Sequence, residues 1–409
     1  MHTIKFSLLI LVLAAITTTA SARTEKILHT FTGKSDGGGS YTGLIFDKSG
    51  NLYGASQNYC FGQGQSAGNV YELQHMKSGW QENVLYTFTG GSDGACPEAG
   101  LFRDKKGVLY GTTILGGDAN GDGVVFRVSQ RGTKWVESVI YQFSGGSDGS
   151  FPVGGVTMDR KGNLFGTTRD RGGSCNCGVV FKLSPMTNGG WNFQVLHTFV
   201  GGSDGFDPQG RMVIDSAGNF FGTTARGGGC TTDSDGCGTV YELSPRSNGT
   251  WNYQIIYVFK AGSDGGAPVA QLALDKKGNL YGTAAYHGVH NRGVVFELRH
   301  SSGGWREAVL HNFTGQDGAL PNSGVTFDSA GNLYGVTYLG GATNAGVVYK
   351  LYPANNKWHE IVLHSFANGT DGAYAWDFGG VAVDKSGNVF GTTLNGGAHN
   401  AGIVFEITP

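Results

Sequence analysis

Three consecutive repeat units of this chain carry charged or titratable side chains at a slot where two other units are apolar. The slot follows the Gly-Thr-Thr ending of a strand and holds Ile114 and Leu115 in one unit and Tyr338 and Leu339 in another. In the exceptional units the residues at or just after it are Arg169, Asp170, Arg171, Arg226, Tyr286, His287, His290 and Arg292. Guanidinium groups bind carboxylates or sulfates in two-point fashion, and His or Tyr can transfer protons. These residues are the candidate ligand-binding site, which suits an acidic polysaccharide; a solvated polar rim is the alternative.

Trp376 also interrupts the repeat, in a loop of the last unit. An indole ring can stack on a sugar ring or can fill a core. We treat Trp376 as a further candidate ligand-binding residue, with core packing as the alternative.

One segment, from Asp118 to Gly123, resembles the first half of a calcium-binding loop. Its candidate Ca²⁺ ligands are Asp118, Asn120 and Asp122. The position that would supply the bidentate Glu is Ser129, so the full motif is incomplete and an Asn-Gly-rich turn is the alternative. The nearby pair Asp233 and Asp235 is a weaker version.

Six cysteines occur, all in predicted loops, and an even number is typical of disulfides in an exported chain. Cys60 with Cys96, Cys230 with Cys237 and Cys175 with Cys177 are the candidate pairs. Cross-pairing among the four cysteines between 175 and 237 is the alternative.

These candidates are positioned by one unit of about 55 residues that recurs seven times, starting near residues 43, 100, 155, 210, 270, 324 and 380. Each unit contains four short strand patterns separated by Gly- and Asn-rich turns. The sequence predicts an all-β protein, a seven-bladed β-propeller with four antiparallel strands per blade. The recurring Asp residues are predicted to stabilise turns, the Trp and Phe rows to pack between blades, and the strand-four His residues to be structural.

The two ends of the chain predict how the propeller closes. The last unit stops after its third strand at Pro409, and the segment from Lys26 to Phe31 reads as an isolated fourth strand. Pairing these two segments would complete blade seven and leave no exposed sheet edge.

The phrases Phe46-Asp47-Lys48-Ser49-Gly50-Asn51-Leu52-Tyr53-Gly54 and Gly293-Val294-Val295-Phe296-Glu297-Leu298 resemble the GloVer tandem repeat. The resemblance covers nearly all of the chain after its first residues. It implies a β-rich protein that is secreted or attached to a bacterial surface, and it implies no particular chemistry. No C-terminal sorting anchor is evident, which favours free secretion.

Composition narrows the function classes. Charged residues make up 15% of the 409 residues and the net charge is -2, which argues against a nucleic-acid binder, because such a protein needs a basic stripe. Residues 1–22 read as a signal peptide, and residues 23–409 as a single propeller without a transmembrane segment. We expect a secreted, extracellular monomer, with the cell surface or the periplasm as the alternative location.

Three functions are compatible with this sequence. The first is an extracellular binding module for a glycan, a surface polymer or a cell-surface protein. The second is a lyase on uronate polymers, in which Arg neutralises the carboxylate and His or Tyr moves protons. The third is a purely structural envelope protein. We favour the first.

Overall fold

A computed structural model describes residues 23–57, 67–117, 120–230, 237–376 and 379–409. Their strands form seven sheets of four antiparallel strands each, and in six of these sheets the strands are hydrogen-bonded in sequence order. The predicted seven-bladed β-propeller is therefore confirmed. Within these ranges, no helix is long and apolar enough to cross a membrane.

Each blade is built from one strand of each of four types. The first strands are β2 (Ile45–Phe46), β6 (Phe102–Arg103), β10 (Val156–Met158), β14 (Val213–Ile214), β18 (Ala273–Leu274), β22 (Thr326–Phe327) and β26 (Ala382–Val383). The second strands are β3 (Leu52–Ser56), β7 (Leu109–Thr113), β11 (Leu164–Thr168), β15 (Phe220–Thr224), β19 (Leu280–Ala284), β23 (Leu333–Val336) and β27 (Val389–Thr392). These second strands are entirely buried, as expected for a strand covered by neighbouring blades on both sides.

The third and fourth strands are longer. The third strands are β4 (Asn69–Met76), β8 (Val124–Arg131), β12 (Val179–Pro185), β16 (Thr239–Pro245), β20 (Val294–Ser301), β24 (Val347–Ala354) and β28 (Ile403–Thr408). The fourth strands are β1 (Thr24–Thr30), β5 (Gly79–Thr87), β9 (Lys134–Gln142), β13 (Trp191–Thr198), β17 (Trp251–Val258), β21 (Gly304–Asn312) and β25 (Lys357–Ser365). A short 3₁₀-helix, Gly202–Asp204, follows β13.

The hairpin between the first and second strands depends on the recurring Asp. In blade one, the Asp47 carboxylate accepts hydrogen bonds from the backbone N–H groups of Ser49 at 2.8 Å and Asn51 at 2.9 Å. The same two contacts recur in the other six blades, at Asp104, Asp159, Asp215, Asp275, Asp328 and Asp384. The predicted turn role of these residues is confirmed, because the side chain supplies acceptors that a tight turn would otherwise lack.

Neighbouring blades are joined by aromatic packing and by threonine hydrogen bonds. Trp251 of blade four lies edge-on to Phe165 of blade three, with ring centroids 5.4 Å apart, which confirms a packing role for the Trp row. Thr112 of blade two donates its hydroxyl to the carbonyl of Pro152 in blade three at 2.6 Å. A threonine hydroxyl that bonds across the interface keeps a buried carbonyl satisfied.

The N-terminal strand closes the propeller as predicted. β1 pairs with β28 antiparallel, from Thr24 opposite Thr408 to Thr30 opposite Ile403, with an irregularity between Ile27 and His29. Blade seven therefore takes its fourth strand from the beginning of the chain and its other three from the end. β28 therefore has a hydrogen-bonded neighbour on each side, as the third strand of every other blade does.

Candidate functional site

The loops between strands two and three meet the loops between strands four and one on one side of the propeller, called here the loop face. Isolated bridges join them in successive blades, at Ala95–Leu115, Ser150–Asp170, Phe206–Arg226, Gly266–Tyr286, Ala319–Leu339 and Ala373–Asn395. Asp170, Arg226 and Tyr286 therefore occupy the slot that Leu115 and Leu339 fill elsewhere. The predicted equivalence of these positions is correct.

Between blades three and four the loop face contains a cleft of about 550 Å³. Its charged lining residues are Arg169, Asp170, Asp207 and Arg226, and we call it the Arg169–Arg226 cleft. Phe206, Gln209 and the Cys175–Cys177 disulfide complete most of its wall. A cavity of this size accommodates a few sugar residues or a comparable organic ligand.

Each arginine of the cleft is held by a neighbouring carboxylate. Arg169 donates to Asp170 through Nε at 3.4 Å and Nη2 at 3.3 Å, and its guanidinium lies 5.2 Å from the Phe151 ring centroid. Arg226 Nε lies 3.6 Å from Asp207 Oδ2, and half of the Arg226 side chain is exposed. Two cationic groups are thus oriented and still accessible to a ligand.

Asp207 is the most enclosed charged group of the cleft, with 15% of its side chain exposed. Burial raises the pKa of Asp207 above its usual range, while a hydrogen bond from Gln209 at 2.9 Å and the charges of Arg226 and Arg169 oppose this rise.

Glu98 is a further acidic group near the cleft. Burial raises the pKa of its carboxyl group, and the positive charge of Arg169 lowers it in part. Sequence reasoning missed Asp207 and Glu98 because it compared the loops after strand two. Both residues lie in loops that precede the first strand of a blade. At the position of Asp207, other blades have Cys96, Phe151, Ala267 and Leu320. This departure from uncharged residues is the sequence signal that would have identified Asp207.

The structure does not bring all predicted ligand-binding residues into this cleft. Arg171 is exposed on the blade-three loop, and Tyr286, His287, His290 and Arg292 lie on the blade-five loop of the same face. None of these five is among the described residues that line the cleft. They remain predicted ligand contacts on the loop face.

Trp376 lies over the middle of the loop face. Its ring centroid is 5.7 Å from that of Tyr41 in blade one and 5.0 Å from that of Tyr338 in blade six. It also packs against a small cluster formed by Ala225, Val269 and Ala285 of blades four and five. Trp376 is half-buried and joins side chains from several blades, so any stacking on a ligand would occur at the propeller axis.

Two predicted disulfides are present, Cys175–Cys177 and Cys230–Cys237. Cys96 is also disulfide-bonded. Its predicted partner, Cys60, lies outside the described residues.

The predicted calcium loop is covered only in part, because Asp118 lies outside the described residues, as do Asp233 and Asp235. Asn120 donates its side-chain amide to the carbonyl of Ser144 at 3.4 Å, and Asp122 is buried. Calcium binding at this loop remains a prediction.

A second group of polar side chains follows the outer rim of the propeller. In every blade a His or Tyr near the end of the fourth strand faces the Asp of the next turn, as in His197–Asp204 and Tyr257–Asp264, each at 3.0 Å. The turn Asp residues also accept backbone hydrogen bonds; Thr89 N–H, for example, lies 2.8 Å from Asp93. These contacts confirm the predicted structural role of the rim residues.

At one junction the rim residues form a candidate metal centre. One ligand atom each from Glu25, His364 and Asp371 lies within 4.8 Å of the others. Glu25 belongs to β1 of blade seven, whereas His364 and Asp371 belong to blade six. The sequence did not reveal this group, since Glu25 and His364 are 339 residues apart.

Comparison with known proteins gives a family and a fold. The Gloeobacter/Verrucomicrobia repeat matches residues 14–233 and 229–409. No curated protein matches the chain.

Two solved structures illustrate the likeness in fold. A protein from Bacteroides uniformis, provisionally assigned as a 6-phosphogluconolactonase, has a TM-score of 0.52 and 13% identity, over 78% of this chain and 84% of that one. A provisionally assigned oxidoreductase (glucose dehydrogenase) from Thermus thermophilus has a TM-score of 0.46 and 13% identity, over 94% of this chain and 100% of that one. At 13% identity, the likeness to the Bacteroides uniformis protein concerns the fold alone.

Proposed function

The chain belongs to the Gloeobacter/Verrucomicrobia repeat family, and we propose that it is an extracellular binding module for an acidic glycan. The Arg169–Arg226 cleft is the observation that carries this proposal. It combines two accessible guanidinium groups with carboxylate and amide groups that can bond sugar hydroxyls. Disulfide bonds and the predicted signal peptide support a place outside the cytoplasm.

The charges of the cleft favour a ligand that bears carboxylate or sulfate groups. The Asp170 and Asp207 carboxylates orient the two guanidinium planes, which reduces the entropy lost when a ligand binds. A uronate or sulfated sugar fits this arrangement better than a neutral one.

A lyase is a less well supported alternative. Lyase chemistry on a uronate needs a base close to the arginine that holds the carboxylate. His287 or His290 was predicted as the base and Tyr286 as the proton donor, and none of the three is among the described residues that line the cleft. The cleft therefore supports retention of a polymer better than its cleavage.

We expect the Arg169→Ala/Arg226→Ala double variant to bind an acidic polysaccharide about 10- to 100-fold more weakly than the parent, because charge-assisted hydrogen bonds are lost. Isothermal titration of the mature protein against polyuronates, sulfated glycans and neutral glucans measures this. Arg246→Ala is the matched control, since Arg246 is an exposed arginine on the β16–β17 turn, away from the loop face.

Ultraviolet absorbance of unsaturated uronide, followed in the same samples, separates binding from turnover. Saturable binding with constant absorbance supports a binding module. A steady rise in absorbance would make the protein a lyase. Binding of no glycan would contradict the proposal and favour a structural envelope protein. Binding of neutral glucans alone would contradict the acidic ligand that we propose.

A further inference from the structure

The Glu25–His364–Asp371 group stands where the closing strand of blade seven meets blade six. Glu25 Oε1 lies 3.7 Å from His364 Nε2, and His364 Nε2 lies 3.4 Å from Asp371 Oδ2. About four-fifths of each side chain is shielded from solvent. Arg23 reinforces the same junction, since its Nη1 donates to the carbonyl of Val362 in blade six at 2.7 Å.

Two of the three ligand atoms have no hydrogen-bond partner among the described residues. Glu25 Oε1 and His364 Nε2 are both buried and unsatisfied. A buried polar atom without a partner costs about 1–3 kcal/mol, so native proteins rarely leave two of them side by side. Asp371, by contrast, is fixed by the backbone N–H groups of Ala367 at 2.7 Å and Gly369 at 3.2 Å.

Three other blades carry His at the same rim position. His197 bonds Asp204 at 3.0 Å and His311 bonds Asp317 at 3.1 Å, so these imidazoles are already satisfied. His29 lies 3.5 Å from Asp36, and its Nε2, like that of His364, has no hydrogen-bond partner among the described residues. Among the described residues, it is only at His364 that a third ligand atom, from Glu25, joins the His and Asp atoms within 4.8 Å. In a tetrahedral zinc site with bonds near 2.1 Å, neighbouring ligand atoms are about 3.4 Å apart, which is close to the two separations observed here.

We propose that Glu25, His364 and Asp371 bind one zinc-class divalent cation that joins the N-terminal strand to blade six. One imidazole nitrogen and two carboxylate oxygens are ligands that Zn²⁺ accepts, with water in the fourth position. Ca²⁺ would require six to eight oxygen ligands. The site is therefore distinct in chemistry and place from the calcium loop predicted near Asn120.

The cation stabilises the closed propeller. The three ligands come together only after β1 has completed blade seven, so the ion binds the folded chain and not the unfolded one. Binding of this kind raises stability with increasing concentration of the free ion.

The test is isothermal titration of the chelator-treated mature protein with ZnCl₂ at neutral pH, together with thermal unfolding. We expect one equivalent to bind and the unfolding midpoint to rise. Glu25→Gln and His364→Gln should each weaken binding at least about 10-fold and reduce the rise in midpoint. Glu137→Gln is the matched control, because Glu137 has the same place in its blade but no neighbouring His at the rim.

Co²⁺ absorption provides a second readout that does not depend on stability. The parent should show the visible bands of a four-coordinate ion, and Glu25→Gln should not. Absence of any saturable zinc binding by the parent would overturn the proposal, and so would one equivalent retained at full affinity by both Gln variants. Either result would mean that Glu25, His364 and Asp371 interact only with one another and do not form a metal site.

Discussion

Phe31→Ala is expected to destabilise the protein by about 3–5 kcal/mol, the usual cost of removing a fully buried aromatic ring. Phe31 directly follows the closing strand and has no exposed surface. Its ring packs edge-on against Tyr71 of blade one, with centroids 5.4 Å apart, and its backbone N–H bonds the carbonyl of Gly402 at 3.1 Å. The residue thus ties both ends of the chain to the first blade.

Urea unfolding monitored by tryptophan fluorescence measures this cost. Ile27→Ala on the same strand is the control, because 39% of Ile27 is exposed and its loss removes little buried surface. Similar small effects for the two variants would show that the N-terminal strand does not hold the propeller closed.

We also expect the folded protein to lose stability as pH rises from the acidic to the neutral range. Glu82, Glu137, Glu307 and Glu360 occupy equivalent rim positions, and each has a buried carboxylate oxygen without a partner among the described residues. Burial raises the pKa of each from 4.5 to about 7. The neighbouring carboxylates of Asp36, Asp93, Asp264 and Asp317 add to the rise, while Lys260, His311 and Arg23 oppose it.

The direction of this pH dependence follows from the different proton affinities of the folded and unfolded chains. The folded chain holds these protons up to about pH 7, whereas the unfolded chain releases them near pH 4.5. The stabilisation is therefore complete below pH 4.5 and is lost as pH rises through about 7. His29 and His364 have lowered pKa values and act in the opposite direction, but they are fewer.

Each glutamate is expected to contribute on the order of 1 kcal/mol, after allowance for solvent screening of partly exposed groups. Thermal unfolding of the metal-free protein should show a higher midpoint at about pH 5 than at about pH 8. Replacing all four by Gln, which resembles the protonated form, should flatten this profile.

Glu242→Gln is the control for the pH experiment, since the Glu242 carboxylate already accepts a hydrogen bond from Gln254 at 2.7 Å. It should leave the profile of the parent unchanged. A parent profile that is flat, or that rises towards alkaline pH, would contradict the assignment of raised pKa values to the rim glutamates.

The fold could be predicted from the sequence because residues with the same structural role recur at equivalent positions of successive repeat units. Asp47 and its six equivalents satisfy the same turn, and the Trp row fills the same interface. The isolated fourth-strand pattern from Lys26 to Phe31 indicated closure, and β1 does pair with β28.

The cleft could be predicted only in part. Arg169, Asp170 and Arg226 were found because they break the repeat at one slot. Asp207 and Glu98 come from a different loop, and their approach to the arginines depends on how neighbouring blades pack. The Glu25–His364–Asp371 group depends in the same way on the contact between β1 and blade six, and no local sequence pattern predicts that contact.

Hydrogen–deuterium exchange of the mature protein, with and without a bound acidic polysaccharide, locates the binding site. We expect slower exchange in the loops at residues 169–177 and 201–209, which line the Arg169–Arg226 cleft. Protection confined to the turns at residues 159–163 and 214–218, which line a separate cavity, would contradict this expectation. Unchanged exchange throughout the chain would contradict it equally.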